Sequence, residues 1–402
     1  MKKSILLMVL ALSSFAFGQN VKENRVTFNF IQLPTNPISE QYSTYNVVLE
    51  RKYEKANEDS LLAYQTKLEQ ASAEYEAQMI AWREQKKLVL RDYFTKMSAW
   101  QKAVNGGNTA APKPTDPIIP PQPVQVEVPQ PRLHSDITDD QVINSISLAG
   151  YDKGEGGATI TVGLLPLSNV DIKMTEKKSA TSVKYTYTAN YKLPLEVKVE
   201  EPTQGVVLQT IILNSVRSYT IGSYDSQYDF DLWWVDNEDA FWIDLEKKAR
   251  NSALIELNTF VNNKCGYPVM SYSTYVYTVK KFKDHQYNDL TNAYTLANQG
   301  YSMISQKRDR SAAHAKINEA INIWKQMLTE SDLNDRKARV NDKVTALLYT
   351  NLTEAYIWLS DFDTAEMYMN QAINSGVGKF KRAASDLTGL LNERKLRWNT
   401  NF

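Results

Sequence analysis

Cysteine is almost missing from this chain. Cys265 stands alone among 402 residues, so no intramolecular disulfide can form and stability has to come from packing. Histidine is nearly as scarce, with His134, His285 and His314 in three separate regions. None has the paired spacing of a metal site, and no His-Glu-x-x-His motif occurs. A Gly-x-Ser-x-Gly elbow is missing too, which removes the common serine nucleophile. Gly154, Gly156 and Gly157 lack the lysine and hydroxyl residue of a phosphate-binding loop and read as a surface turn. Cys265 closes an amphipathic helix rather than opening one, so no helix dipole activates its thiol. A non-enzyme is expected, with no catalytic residue, no cofactor and no metal. Net charge is also missing: 46 basic residues balance 46 acidic ones, and nothing favours nucleic acid or anionic lipid as a partner. Beyond residue 20 no apolar run is long enough for a transmembrane segment.

The first eighteen residues carry a different message. Lys2 and Lys3 precede an apolar run from Ile5 to Phe17, and Ala16-Phe17-Gly18 places small residues where a signal peptidase reads them. Residues 1–18 therefore read as a cleaved secretory signal peptide, and its lack of a cysteine argues against a lipoprotein anchor. The expected location is the periplasm or an outer-membrane-associated position. In its lysine, asparagine and tyrosine richness and its Phe-Gly-Gln-Asn signal end, the chain resembles proteins exported by Bacteroidota.

Four regions follow. Val26, Phe28 and Phe30 alternate with polar neighbours, the period of a half-buried strand, until Pro34 and Pro37 intervene; Tyr45–Leu49 reads as another strand. From Arg51 to Val104 there is neither glycine nor proline. Leu61, Leu68, Tyr75, Trp82 and Val89 recur every seven residues there, the seam of a coiled coil. A continuous helix over this stretch would be about 80 Å long. Asn105–Pro131 holds eight of the fourteen prolines, and extended at about 3.1 Å per residue it spans a similar length. The match predicts one long helix running out at 51–104 and an extended segment running back at 105–134. A shorter hairpin turning near Gln85 is the alternative. In either form it is an arm inserted into a discontinuous α+β domain made of 19–50 and 135–284. Within the second piece, strands are expected at Thr159–Leu165, Ser182–Tyr191, Leu195–Val199, Val206–Leu213, Ser218–Tyr224 and Val269–Val279. A helix carrying Leu245, Ala249, Ala253, Leu257 and Val261 precedes the last of these.

Within residues 285–402 the pattern is helical almost throughout from Asp289 onward. In Ala346–Val377, the stretches Asn351-Leu352-Thr353-Glu354-Ala355-Tyr356 and Asp361-Phe362-Asp363-Thr364-Ala365 resemble the tetratricopeptide repeat, with Tyr349, Leu352, Tyr356, Phe362, Ala365, Met369 and Ala372 at that repeat's packing positions. Thr353 stands where glycine is commonest, and Val377 where proline usually closes the unit. A looser unit spans Asn292–Met327, with a turn at Gln306–Arg310, and Phe380–Trp398 reads as a capping helix. The resemblance implies stacked helix pairs and protein binding through their concave face, which Asn298, Asn351 and Lys325 would line.

One segment suggests chemistry of another kind. Asp229–Asp244 packs Phe230, Trp233, Trp234, Phe241 and Trp242 among six carboxylates. Rings flanked by acids furnish sugar-binding clefts and can serve glycoside hydrolysis, which makes Trp233, Trp234, Asp236 and Trp242 candidate glycan contacts. A strand running into an acidic loop that caps the next helix accounts for the same residues. Calcium would also suit the acids, although their spacing is not that of an EF-hand. The leading expectation is a non-enzymatic envelope adaptor or scaffold, binding protein partners and peripheral to an outer-membrane complex. The alternative is a glycan- or peptidoglycan-binding, or cleaving, envelope protein. A third is an arm that dimerises through the Leu61 seam.

Overall fold

The computed structural model describes residues 20–402, except 109, 180–181 and 305–309. The signal peptide expected at 1–18 lies outside the described residues, as does most of the Gln306–Arg310 turn. The fold is mixed α and β. Strand β1 (Val21–Ile31) pairs antiparallel with β10 (Val269–Val279) as a two-stranded ribbon. A five-stranded sheet runs in the order β3 (Asp152–Lys153), β2 (Thr44–Glu50), β4 (Ala158–Leu164), β7 (Leu195–Glu201) and β8 (Gly205–Ile212). Its β2–β4 pair is parallel and its remaining long pairs are antiparallel. Three further strands, β5 (Ser168–Lys178), β6 (Val183–Lys192) and β9 (Arg217–Tyr224), form an antiparallel sheet.

The parallel β2–β4 pair needs a crossover, and the arm is inserted there. Helix α1 (Tyr53–Asn105) is one continuous helix of 53 residues, about 80 Å long at 1.5 Å per residue. Nothing in its sequence interrupts it until Gly106 and Gly107, where Gly107 takes φ +97° and the chain reverses. The proline-rich stretch returns antiparallel along the helix. The Trp100 indole N–H donates to the Ala111 carbonyl at 3.0 Å and that of Trp82 to Pro120 at 2.9 Å, while the Asn57 carboxamide oxygen accepts from the His134 N–H at 2.8 Å. From Asn57 to Trp100 the helix rises about 65 Å, and from His134 back to Ala111 an extended chain covers about 70 Å. The two rises match, so the return needs no loop-outs. Short helix α2 (Asp139–Ser145), capped by the Thr138 hydroxyl, then leads into the sheet.

Helix α3 (Gln227–Cys265) packs along β7 and β9. Its stripe of Leu245, Ala249, Ala253, Leu257 and Val261 is buried with Ile160, Val162, Val197 and Val199 in one core. Cys265 ends the helix fully buried, and burial pushes its thiol up to about 12; such a thiol is inert.

Among the described residues six helices follow: α4 (Asn288–Met303), α5 (Ser311–Leu328), α6 (Asp342–Leu359), α7 (Phe362–Asn374), α8 (Gly378–Asp386) and α9 (Thr388–Asn401). Neighbouring pairs α4/α5 and α6/α7 pack closely, and at the first crossing Gly300 lies where a Cβ would sit 2.6 Å from Ile317 Cγ1. Where one capping helix was expected at Phe380–Trp398 there are two, divided by a one-residue tightening at Leu387, whose N–H bonds to the Ala384 carbonyl.

The boundary between the two cores does not fall where composition put it. Strands β1 and β10 belong to the helical core rather than to the domain formed by the other strands. Phe28 stacks on Tyr301 with ring centroids 5.2 Å apart and meets Trp358 edge-on at 4.8 Å; Phe30 meets the same tryptophan at 5.0 Å. Each such ring stabilises by about 1.5–3 kcal/mol through burial, with about 0.5–1.5 kcal/mol more per aromatic pair. Aromatic complementarity to α4 and α6 therefore draws the ribbon away from the sheets.

Candidate functional site

Three places were expected to carry function: the arm, the helical stack and the tryptophan-rich segment. The arm is fixed at its root and free elsewhere. Tyr53 is its one buried residue. The Tyr53 hydroxyl donates to Asp136 at 2.7 Å, and the Arg250 guanidinium lies 4.4 Å above its ring. Burial and then Asp136 raise this phenol to about 12. Behind it, Glu246 accepts from Arg250 at 2.7 Å and contacts His134 Nδ1 at 3.0 Å. Burial works to raise the Glu246 carboxyl, but the His134 hydrogen bond, the Arg250 charge and the Ser135 N–H outweigh it and hold it below the usual range. Composition missed this network. The visible signal was a charged pair, Glu246 and Arg250, four residues apart on the buried side of an apolar stripe.

Beyond the root, half-buried side chains recur at helical spacing: Tyr75, Met79, Trp82, Lys86, Tyr93 and Trp100. They form one face, beside which the proline-rich return runs. The heptad positions expected to form a coiled-coil seam therefore divide. Tyr75, Trp82 and Val89 are half-covered within the chain, while Leu61 and Leu68 stay exposed. Leu62, Ile80, Leu88 and Phe94 on the helix, with Ile118 and Val124 on the return, are also exposed to solvent.

In the helical stack the packing residues come together. Leu352, Tyr356, Phe362, Ala365, Met369 and Ala372 are buried, and Tyr349 is half-buried beside Tyr368. The α6–α7 turn places Ser360 in the left-handed region (φ 63°), after which the Asp361 carboxylate caps α7 by accepting from the Thr364 N–H. Part of the face expected to bind partners is covered from within the chain. The Asn351 carboxamide donates to the Tyr277 carbonyl and accepts from its N–H, each at 2.9 Å, so it clamps strand β10. One turn on, Glu354 accepts from the Thr274 hydroxyl at 2.5 Å. Burial raises its carboxyl to about 7. Of the three residues expected on an open concave face, Asn351 is thus buried; Asn298 is half-buried, and Lys325 lies 5.2 Å over the Tyr356 ring. The ribbon wins the position because β10 offers an unpaired backbone edge on the side away from β1, and an amide side chain satisfies both of its groups.

The tryptophan-rich segment is neither strand nor loop. Helix α3 begins at Gln227, with the Ser226 hydroxyl accepting from the Asp229 N–H at 3.1 Å and donating to its carboxylate. This reciprocal Ser-x-x-acid cap was readable in the sequence, as was the spacing of Phe230, Trp234, Phe241 and Leu245. Trp234 touches both Trp233 and Trp242, with ring centroids 6.0 and 6.3 Å away, but the four candidate glycan contacts do not share one open surface. Trp242 is buried under the Arg132 guanidinium and Trp234 is stacked against Phe230, while Asp236 faces solvent. Trp233 alone of the four lines an open cavity of about 190 Å³, together with Tyr219, Asn237, Phe241, Asp244 and Lys248. The rings otherwise serve one another: Tyr187 stacks on Phe230 at 3.6 Å, and Tyr224 meets the same ring at 5.4 Å. Among the described residues no three His, Cys, Asp or Glu side chains are grouped to hold a metal, and no helix is long and apolar enough to cross a membrane.

No protein-family model matches the chain, and neither the curated proteins nor the solved structures contain a match.

Proposed function

We propose that this chain is an exported, non-enzymatic adaptor of the cell envelope, whose arm reaches a protein partner. The observation that carries the reading is the arm itself. A 53-residue helix with one buried residue is backed along its length by an extended proline-rich segment, and lone helices gain most of their stability from tertiary packing. Exposed Ile80, Leu88 and Phe94 on one layer and Ile118 and Val124 on the other supply the apolar surface that a partner would cover. Such an arm brings little to a single-chain activity and much to reach. The helical stack, read as tetratricopeptide-like, contributes differently from first expectation: its first-helix face holds β10, so it anchors the body, and partner contact passes to the arm. Export rests on the pattern of residues 1–18.

Photo-crosslinking in intact cells tests this. A photoreactive residue placed at Phe94 or Ile118 should give a discrete heavier adduct, and one placed at exposed Leu333 on the body should not. Equal labelling from all three positions, or none from the arm, contradicts the proposal.

A glycan-binding reading keeps one specific support, the cavity lined by Trp233, Tyr219 and Phe241 together with Asn237 and Asp244. Rings with a carboxamide and a carboxylate are suited to a sugar face and its hydroxyls. Tryptophan fluorescence titrated with peptidoglycan fragments should saturate, and should cease to do so in Trp233→Ala, if this cavity binds glycan. A flat titration removes the reading.

A further inference from the structure

Where the ribbon, the C-terminal helix and the start of α5 meet, cations gather without a carboxylate partner among the described residues; Arg394 instead lies 4.1 Å over the Trp358 ring and 5.6 Å over that of Phe30. Arg310 and His314 stand on the first turn of α5 and just before it, and Arg394 rises from α9. Arg310 lines two adjoining cavities at this junction. The larger, of about 370 Å³, is also lined by His314, Trp398, Phe402, Tyr267 and Leu33; Arg394 lines the smaller beside Phe30 and Trp398. The Nε of Arg394 and the Nε2 of His314 are shut away from solvent with no hydrogen-bond partner among the described residues. Among the described residues Arg310 reaches the Ile31 carbonyl, at 3.5 Å.

The acids nearby do not neutralise them. Glu393 is drawn to Arg397, whose guanidinium is already held by the Leu33 carbonyl and by Asn263. Glu40 lies at the exposed rim. Burial, reinforced by the neighbouring charges of Arg310 and Arg394, lowers His314; burial and then Arg310 depress Arg394 to about 9, leaving it charged at neutral pH. Unpaired cations withdrawn from water are costly, and proteins normally pair them or hydrogen-bond them. Arg250 is paired with Glu246 and Arg217 with Glu256, although the Nε and Nη1 of Arg250 also lack a hydrogen-bond partner among the described residues. Here Arg310 and His314 line a cavity of ligand size, and Arg394 lines its neighbour of about 40 Å³.

The geometry points to a binding site for a small amphiphilic anion: a carboxylate or phosphate head held by Arg310, Arg394 and His314, with an apolar body against Trp398, Phe402 and Leu33. Guanidinium groups hold either head by charge-assisted hydrogen bonds, and the ring-lined side sets a requirement for an organic body. The site is independent of the arm and of the adaptor reading.

Calorimetry on the full chain tests it with four ligands: 2-naphthoate, 2-naphthalenemethanol, phenyl phosphate and inorganic phosphate. Saturable binding of 2-naphthoate or phenyl phosphate is expected, and whichever binds tighter assigns the head. The neutral alcohol and inorganic phosphate should each bind at least tenfold more weakly. Arg394→Gln and Trp398→Ala should weaken the preferred anion at least tenfold. Arg310→Gln, at a half-exposed position outside the packed core, should do the same, and it decides the matter if the other two variants unfold. The site is overturned if the alcohol binds as tightly as the acid, if inorganic phosphate binds as tightly as phenyl phosphate, if Arg310→Gln leaves affinity unchanged, or if no anion binds.

Discussion

Asn351 and Glu354 sit one turn apart on α6 and face the same strand, with different consequences. Asn351 satisfies both backbone groups of Tyr277. Asn351→Ala strands a buried N–H and a buried C=O, so a loss of about 2–4 kcal/mol is expected, read as a lower urea midpoint at unchanged slope. Glu354 leaves its Oε1 without a partner, and burial raises its carboxyl from 4.5 to about 7. A raised folded-state value means the proton is bound more tightly in the folded chain. The stabilisation is full below the ordinary carboxylate range and is lost as pH rises through about 7. Glu354→Gln should therefore raise the melting temperature at pH 8 and much less at pH 5, with a difference of up to about 3 kcal/mol. Glu246, held below its ordinary value, acts in the opposite window: its contribution is present at neutral pH and lost as pH falls. Neither role was legible in the sequence. A periodic pattern marks Asn351 as helical and says nothing of the strand, some 74 positions away, that it clamps.

At the scale of elements, more was legible. The absence of glycine and proline from 51–104, and the equal reach of the proline-rich return, gave an out-and-back arm its outline. The alternation of Val269–Val279 marked its strand. The Lys-rich strand β5 has no legible alternation because Ile172 and Met174 supply too little apolar contrast. The start of α3 at Gln227 carries a legible cap at Ser226, but the acids interleaved with the rings of Asp229–Asp244 blur its apolar stripe. Partner choice among strands was invisible for a physical reason: β1 pairs with β10 across some 250 residues, and which core receives that ribbon depends on rings contributed by α4 and α6. Two outcomes belong to this scale. Gly300→Ala puts a methyl against Ile317 and the Ala313 carbonyl, so α4 and α5 must separate; a loss of about 1–3 kcal/mol is expected in chemical denaturation. Trp82→Ala removes a ring and its bond to Pro120. Hydrogen exchange of amides in the outer half of α1 should then quicken while those of α6 keep their protection.

The whole molecule divides its labour: two cores hold each other through the ribbon and α9, and the arm leaves both. Arg397 ties these parts together by donating to the Leu33 and Asn263 carbonyls, so the stack is braced against the sheet domain and the arm has a firm base to project from. The central claim is that the arm, rather than the stack's covered face, recruits the partner. Its most direct measurement is quantitative affinity purification from envelopes solubilised in mild detergent, comparing the full chain with a variant in which residues 58–131 are replaced by a short glycine-serine loop. An unchanged near-ultraviolet circular dichroism signal and melting temperature of the body would show that the variant stays folded. The account predicts a stoichiometric protein partner recovered with the full chain and lost by at least tenfold without the arm. The same partner recovered equally by both would contradict it.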